Sequence, residues 1–277
     1  MMKLLMIPFV VFGLMVNAAF GEDVKREITN VTGDVYRFQN KFHVNVFVIT
    51  SEGVVVTDPI NAEAAAWLTA EIGKMTDQPI THLVYSHSHG DHASGGSAYG
   101  EVPTVIAQAN APEAIGDVFP TQRYDDEYSF SLGGKTFEMT YLGPGHGTDL
   151  AALVIRPENV AFVVDAVSAR RLFYRDFPGA NVDEWINQVR KVDSLDFEYL
   201  VGGHGPVGNK ADVGEGLAYL IELREAVLEG LEAGKSVDDL SQSIRMEKYS
   251  DWLFYDQWRV PNIQGMARHL VESGAVN

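Results

Sequence analysis

Residues 87–92 read HSHGDH, so three of the chain's eight histidines and an aspartate fall within six positions, as His87, His89, Asp91 and His92. They follow the apolar run LVYS at 83–86. In extended backbone, side chains two apart point to the same side, so His87 and His89 offer two imidazoles to one cation. Gly90 lets the chain turn. Asp91 and His92 then offer an oxygen and a third imidazole to a second cation nearby. An isolated histidine reads more simply as a strand cap or a solvated loop residue; the density of H-x-H-x-D-H argues for metal. Three further donors stand where apolar runs end: His146 in LGPGHGTD, Asp165 closing AFVVD and His204 in YLVGGHG. Each alone reads as a turn histidine or a strand-capping acid. With 87–92 they make a donor set at the carboxyl ends of strands, where open α/β sheets bind their ligands.

The elements that must position these donors show as apolar periodicity. Short β-branched and aromatic bursts at 44–49, 54–57, 83–86, 104–107, 137–142, 151–155, 161–164 and 199–201 read as strands. Their unbroken apolar character predicts cover on both faces. AEAAAWLTAEIGKM at 62–75 reads as a helix, and Trp185, Ile186, Val189 and Val192 mark one face of another over 183–195. A longer stripe runs over 212–233, Ser236 caps a short helix, and NIQGMARHLVESG at 262–274 forms the last. Strands alternating with helices, then a helical end, predict a layered α/β fold. The stripes of the C-terminal helical part, 211–277, read as packing on the sheets, with a homodimer face as the alternative.

HSHGDH, GHG, VVD and GGHG, in this order, resemble the metallo-β-lactamase superfamily over residues 30–208. The resemblance implies a four-layer αββα sandwich with extra C-terminal helices. It implies two zinc ions between the sheets, with iron or manganese as alternative metals. His87, His89 and His146 then match the ligands of the first ion and Asp91, His92 and His204 those of the second, with Asp165 bridging both. Asp58, in VVVTDP, matches a position that props the ligand loop from behind; a plain strand-end acid is the alternative. Zinc suits imidazole and carboxylate donors without cysteine and lowers the pKa of bound water to about 7. The implied activity is that of a zinc-dependent hydrolase, with hydroxide attacking a lactam, lactone, ester or thioester. Asp91 would orient that hydroxide and pass a proton to the leaving group. An acid at 165 leans towards the glyoxalase II and lactonase branches, while Ser168 stands where lactonases commonly carry tyrosine. Two rivals stay open: a mono-iron persulfide dioxygenase-like oxidoreductase using His87, His146 and Asp165, and a non-catalytic periplasmic metal-binding protein.

SARRLFYRDFPG follows Asp165, and Arg171, Tyr174 and Arg175 in it are candidate substrate residues. An arginine there could grip a carboxylate; pairing of Arg170, Arg171 and Arg175 with surface acids is the alternative. Phe119, Tyr124 and Tyr128 suggest an aromatic lid or packing on the sheet. Trp252, Phe254, Tyr255 and Trp258 reach the pocket mouth or join the core. His43, His82 and His269 match no motif position and read as structural. The absence of cysteine excludes thiolate ligands and disulfides, and the net charge of −17 disfavours nucleic acid and anionic lipid. A small-molecule substrate is the expected partner. Residues 1–21 place Lys3 before an apolar stretch from Leu4 to Val16 and then small residues, the layout of a secretory leader. The stretch is short for a membrane span. The expected division is a leader, 1–21, and one catalytic domain, 22–277, with a periplasmic or secreted address and no membrane span in the mature protein.

Overall fold

The computed structural model describes residues 24–276; the leader read over 1–21 lies outside them. The first half runs β1 (Arg26–Thr32), β2 (Val35–Asn40), β3 (His43–Thr50), β4 (Gly53–Thr57), α1 (Ala62–Met75), β5 (Ile80–Val84), α2 (Gly90–Ala93), β6 (Thr104–Gln108) and β7 (Gln122–Tyr124). These seven strands form one sheet in sequence order. The second half runs β8 (Glu127–Leu132), β9 (Lys135–Tyr141), β10 (Ala151–Arg156), β11 (Val160–Val163), α3 (Val182–Ser194), β12 (Tyr199–Gly202), β13 (Gly208–Asn209), α4 (Lys210–Glu232), α5 (Val237–Ser243) and α6 (Tyr255–Glu272). Its six strands form a second sheet, ordered β13-β12-β11-β10-β9-β8.

Strand alternation sorts the apolar residues into layers. On β10, Ala151, Leu153 and Ile155 face the other sheet, where they meet Val46, Val55 and Val84. Ala152 and Val154, one residue out of phase, face the helices and pack with Trp185, Val189, Leu220 and Leu223. On β4 the same split puts Val55 between the sheets, while Val54 and Val56 lie under Leu68 and Ile72 of α1. The result is four layers, helix–sheet–sheet–helix, with both strand faces covered as the apolar runs predict. The edge strands β1 and β8 are only partly buried instead, β8 alternating residue by residue. Their half-polar sequences gave no continuous apolar run to mark them.

The stripes of α4 and α6 join the core on the outer side of the second sheet through Val213, Leu223, Val227, Ile263 and Leu270, with α6 packed on α4 and α5. The last helix begins at Tyr255, not at 262, and carries Pro261 inside it. Proline ordinarily ends a helix because it lacks an N–H; here buried Ile263 and Met266 beyond it hold the helix on the core. No helix among the described residues is long and apolar enough to cross a membrane.

Candidate metal centre

The donors come from the start of β3 and from the loops after β5, β9, β11 and β12, which converge with Asp58, after β4, at one rim of the sandwich. β5 delivers His87 first. Asp58, fully buried after β4, accepts from the Ser86 N–H at 2.8 Å and from the Ser86 hydroxyl at 2.6 Å. With its only proton directed at Asp58, the Ser86 oxygen is left to accept from Nδ1–H of His87 at 2.9 Å. That network leaves the Nε2 lone pair of His87 free. Nε2 is buried and has no hydrogen-bond partner among the described residues. A buried, unpaired imidazole nitrogen aimed into a polar site fits a metal ligand.

Two groups of donors gather there: His87, His89, His146 and Asp165, and beside them His43, Asp91, His92 and His204, with the ligand atoms of each group within 4.8 Å of one another. His89 Nδ1 lies 3.0 Å from His146 Nε2, and His92 Nε2 lies 3.2 Å from His204 Nε2. His204 uses Nδ1–H on the Phe42 carbonyl at 2.8 Å, so its Nε2 also presents a lone pair. Asp165 stands between the groups. Its Oδ2 is 3.3 Å from His146 Nε2 and 3.8 Å from His87 Nε2, while its Oδ1 is 3.2 Å from His204 Nε2. Asp165 is held at φ +57, a left-handed conformation that a non-glycine residue keeps only under tertiary constraint. These separations match the edges of donor polyhedra with metal–ligand bonds of about 2.0–2.2 Å.

Burial sets the protonation states. It holds His87 well below the usual imidazole range and His92 down to about 4, with Asp165 opposing in both cases. Both rings are therefore neutral at pH 7, the form that ligates. Burial raises the Asp165 carboxyl, but His92, His146 and His204 outweigh it and hold it well below the usual carboxylate range. The adjacent His43 holds Asp91 low against its partial burial. Burial pushes Asp58 up to about 7, against the two bonds from Ser86.

Helix α3 fastens two of the ligand loops. Gln188, fully buried, accepts from the His146 N–H at 2.8 Å and donates to the Gly143 carbonyl at 2.7 Å. Trp185 packs edge-on against the His146 ring, centroids 4.7 Å apart, and donates its indole N–H to the Ala166 carbonyl at 2.8 Å. Gly145 is required where it stands: at φ +148, a Cβ would come within 2.6 Å of the Gln188 side-chain oxygen. Gln188 belongs to no motif; a lone amide on the apolar face of Trp185, Val189 and Val192 is its signal in the sequence. His43, expected from the sequence to be structural, is brought into the second group. His82, stacked on Phe130, and His269, paired with Asp183, lie away from the site.

The donors open into a cavity of about 1060 Å³. His89, Asp91, His146, Asp165 and His204 lie on its polar side, and Phe42, Leu172, Phe173, Tyr174, Phe254 and Trp258 wall it. Arg171 lines it too, its guanidinium 4.8 Å from the Trp258 ring centroid and 5.6 Å from that of Phe254. It has no ion-pair partner among the described residues. Of the candidate substrate residues, Arg171 and Tyr174 therefore line the cavity. Arg175 does not, because at φ +49 its side chain turns back over the Tyr174 ring. Arg170 is taken up by Asp251. Of the two readings of Phe119, Tyr124 and Tyr128, packing on the sheet holds for Tyr124, which is buried between the sheets, and for Tyr128, partly buried against the same core; Phe119 is exposed, and none of the three lines the cavity. Phe254 and Trp258 reach the cavity, whereas Trp252 joins the core.

A model of the metallo-beta-lactamase superfamily matches residues 40–204. The chain is 25% identical over 193 residues to the 2,4-dinitroanisole O-demethylase subunit alpha of Nocardioides sp. (strain JS1661), an alignment covering 66% of this chain and 56% of that protein. It thus spans little more than half the length of that relative. It is 26% identical over 211 residues to the metallo-beta-lactamase type 2 of Elizabethkingia meningoseptica, covering 67% of this chain and 82% of that one. A solved metallo-beta-lactamase from Pontibacter korlensis superposes with a TM-score of 0.62 at 20% identity, covering 71% of this chain and 99% of that one. At that identity the likeness is one of fold.

Proposed function

The chain belongs to the metallo-β-lactamase superfamily, and from that premise we propose that it is a dinuclear metal-dependent hydrolase of an acyl bond in a small molecule. The observation that carries this reading is Asp165, whose carboxylate reaches both donor groups, Oδ2 lying 3.3 Å from His146 Nε2 and 3.7 Å from His92 Nε2 and Oδ1 3.2 Å from His204 Nε2. His87, His89, His146 and Asp165 Oδ2 would hold one ion; Asp91, His92, His204 and Asp165 Oδ1 would hold the other. Bound divalent ions, zinc by the donor set with iron or manganese as alternatives, supply Lewis acidity and a water acidified to near neutrality. Asp91, half-exposed at the cavity wall, would orient the attacking water and pass its proton to the leaving group. Arg171 grips an anionic group of the substrate, and the aromatic wall excludes water and takes the apolar body.

Metal analysis of the purified chain, followed by a panel of a cephalosporin reporter, an acyl lactone, a thioester and a phosphodiester, tests the reading. Two ions per chain and chelator-sensitive turnover of an acyl substrate are expected. A single iron with oxygen uptake would replace the reading with the dioxygenase. Bound metal without turnover across the panel would leave a metal-binding protein. A second reading, cleavage of an aryl ether, is favoured by the aromatic wall together with the O-demethylase relative; adding 2,4-dinitroanisole to the panel separates it. Export to the periplasm or the medium belongs to the proposal and rests on residues 1–21 alone.

A further inference from the structure

We infer that His43 is a ligand of the second metal ion, so that this ion takes five protein donors where the first takes four. The inference rests on the dinuclear reading of the site and adds a residue that no sequence motif marks.

The first support is distance. His43 Nε2 lies 3.4 Å from Asp91 Oδ2. A charged N–H···O⁻ bond closes to about 2.7–2.9 Å, so 3.4 Å is long for two groups bonded to each other. It equals the edge of a donor tetrahedron built on bonds of about 2.0–2.1 Å. The His43 ring is tilted rather than stacked against His204, centroids 4.9 Å apart, and stands edge-on to His92 at 5.4 Å. Its donor atom lies within 4.8 Å of those of Asp91, His92 and His204. Three imidazoles and a carboxylate therefore converge, and at the neighbouring His92–His204 pair the facing nitrogens stand 3.2 Å apart.

The second support is rigidity. His43 opens β3, where it pairs with Asn40 across the hairpin. The residue before it, Phe42, accepts from Nδ1–H of His204 at 2.8 Å. The residue after it, Val44, donates its N–H to the Gly203 carbonyl at 2.8 Å. Residues 42–44 are thus fastened on both sides of His43 to the loop that carries His204, and the two rings are placed as one unit.

The chemical consequence is asymmetry. His43, Asp91, His92 and His204 surround one position, and Asp165 reaches its edge, with Oδ1 3.2 Å from His204 Nε2 and Oδ2 3.7 Å from His92 Nε2, which leaves little room there for water or substrate. His87, His89, His146 and Asp165 Oδ2 surround the other, which keeps the more open coordination that catalytic sites need. The second ion is then the tighter of the two and the first is the working one.

Cobalt loading and chelator titration of the full chain, wild type against His43→Ala and His43→Gln, test this. Wild type should release its ions in two steps, with the more firmly held ion giving a weak, high-coordination visible band. In His43→Ala that band should change towards four-coordination and the affinity of that ion should fall at least about tenfold, while the other ion is unchanged. Affinity alone does not separate a ligand from a residue that merely orients Asp91, because removing an outer partner also weakens binding about 10–100-fold; the band does. Glutamine keeps a hydrogen-bond donor for Asp91 but supplies no imidazole, so His43→Gln should show the same altered band. An unchanged band in His43→Ala, or a wild-type band in His43→Gln, overturns the inference while leaving the dinuclear reading in place. A wild-type chain that binds a single ion overturns both together. The melting temperature of the metal-free variants, expected to stay near wild type, shows that the fold is retained.

Discussion

Asp58 shows how one side chain can serve fold and site together. It is fully buried, yet both its oxygens are used by Ser86, and through Ser86 it sets the tautomer of His87. Asp58→Ala would leave the Ser86 N–H buried without its partner, which costs about 1–3 kcal/mol. It would also free the His87 ring to rotate, and partners behind a ligand are worth about 10–100-fold in metal affinity. The expected outcome is a lower melting temperature in the metal-free protein and a weakened first ion; an unchanged melting temperature would show that the network does not hold the loop. At the same scale, Asp165→Ala removes the carboxylate that faces both groups, and both ions should be lost on dialysis, as read by elemental analysis. The local spacing of HSHGDH made its histidines legible as candidate ligands, because four donors within six residues need no knowledge of the fold. Asp58 was legible only as an even choice between prop and turn acid. Nothing in VVVTDP says that Ser86, 28 positions later, will sit against it.

At the scale of elements, α3 has a task that its amphipathic pattern conceals. Its inward face buries Trp185, Ile186, Val189 and Val192, as the periodicity predicts, and it adds Gln188 in their midst. Gln188→Leu keeps the volume and the apolar face but leaves the His146 N–H and the Gly143 carbonyl without partners. The expected cost is about 2 kcal/mol, with preferential loss of the first ion, since the second owes nothing to the 143–146 loop. Metal stoichiometry during chelator titration checks this; equal loss of both ions would mean that α3 supports the whole rim and not one loop. The caps Asn61 and Asn181, whose side chains accept from the first turns, are a finding of the structure; the helix boundaries near 62–75 and 183–195 followed from helix-forming residues and apolar periodicity. The edge strands β1 and β8 did not, because a strand with one solvated face loses the continuous apolar run that marked the others.

At the scale of the whole molecule, two sheets and the C-terminal helices enclose a cavity that no single segment announces. Arg171 belongs to the loop after β11, while its stacking partners Phe254 and Trp258 lie more than eighty residues later. Trp258→Ala would remove one wall and the better of the two cation–π contacts. KM for an anionic acyl substrate should rise about 2- to 30-fold, the range that 0.5–2 kcal/mol spans, with kcat and metal content near wild type. A fall in kcat alone would place Trp258 nearer the reacting atoms. From the sequence alone came the metal-binding loop, the order of the other donors and the alternation of strands and helices, all of which are local patterns of spacing and polarity. Tertiary structure alone decided that His43 joins the second group, that Arg171 and not Arg175 lines the cavity, and that Tyr124 is core with Tyr128 packed against it. The physical reason is pairing: β3 runs antiparallel to β4, so the start of one strand meets the end of the other at the same rim, and a residue's place there depends on a partner that its own neighbours in sequence do not name.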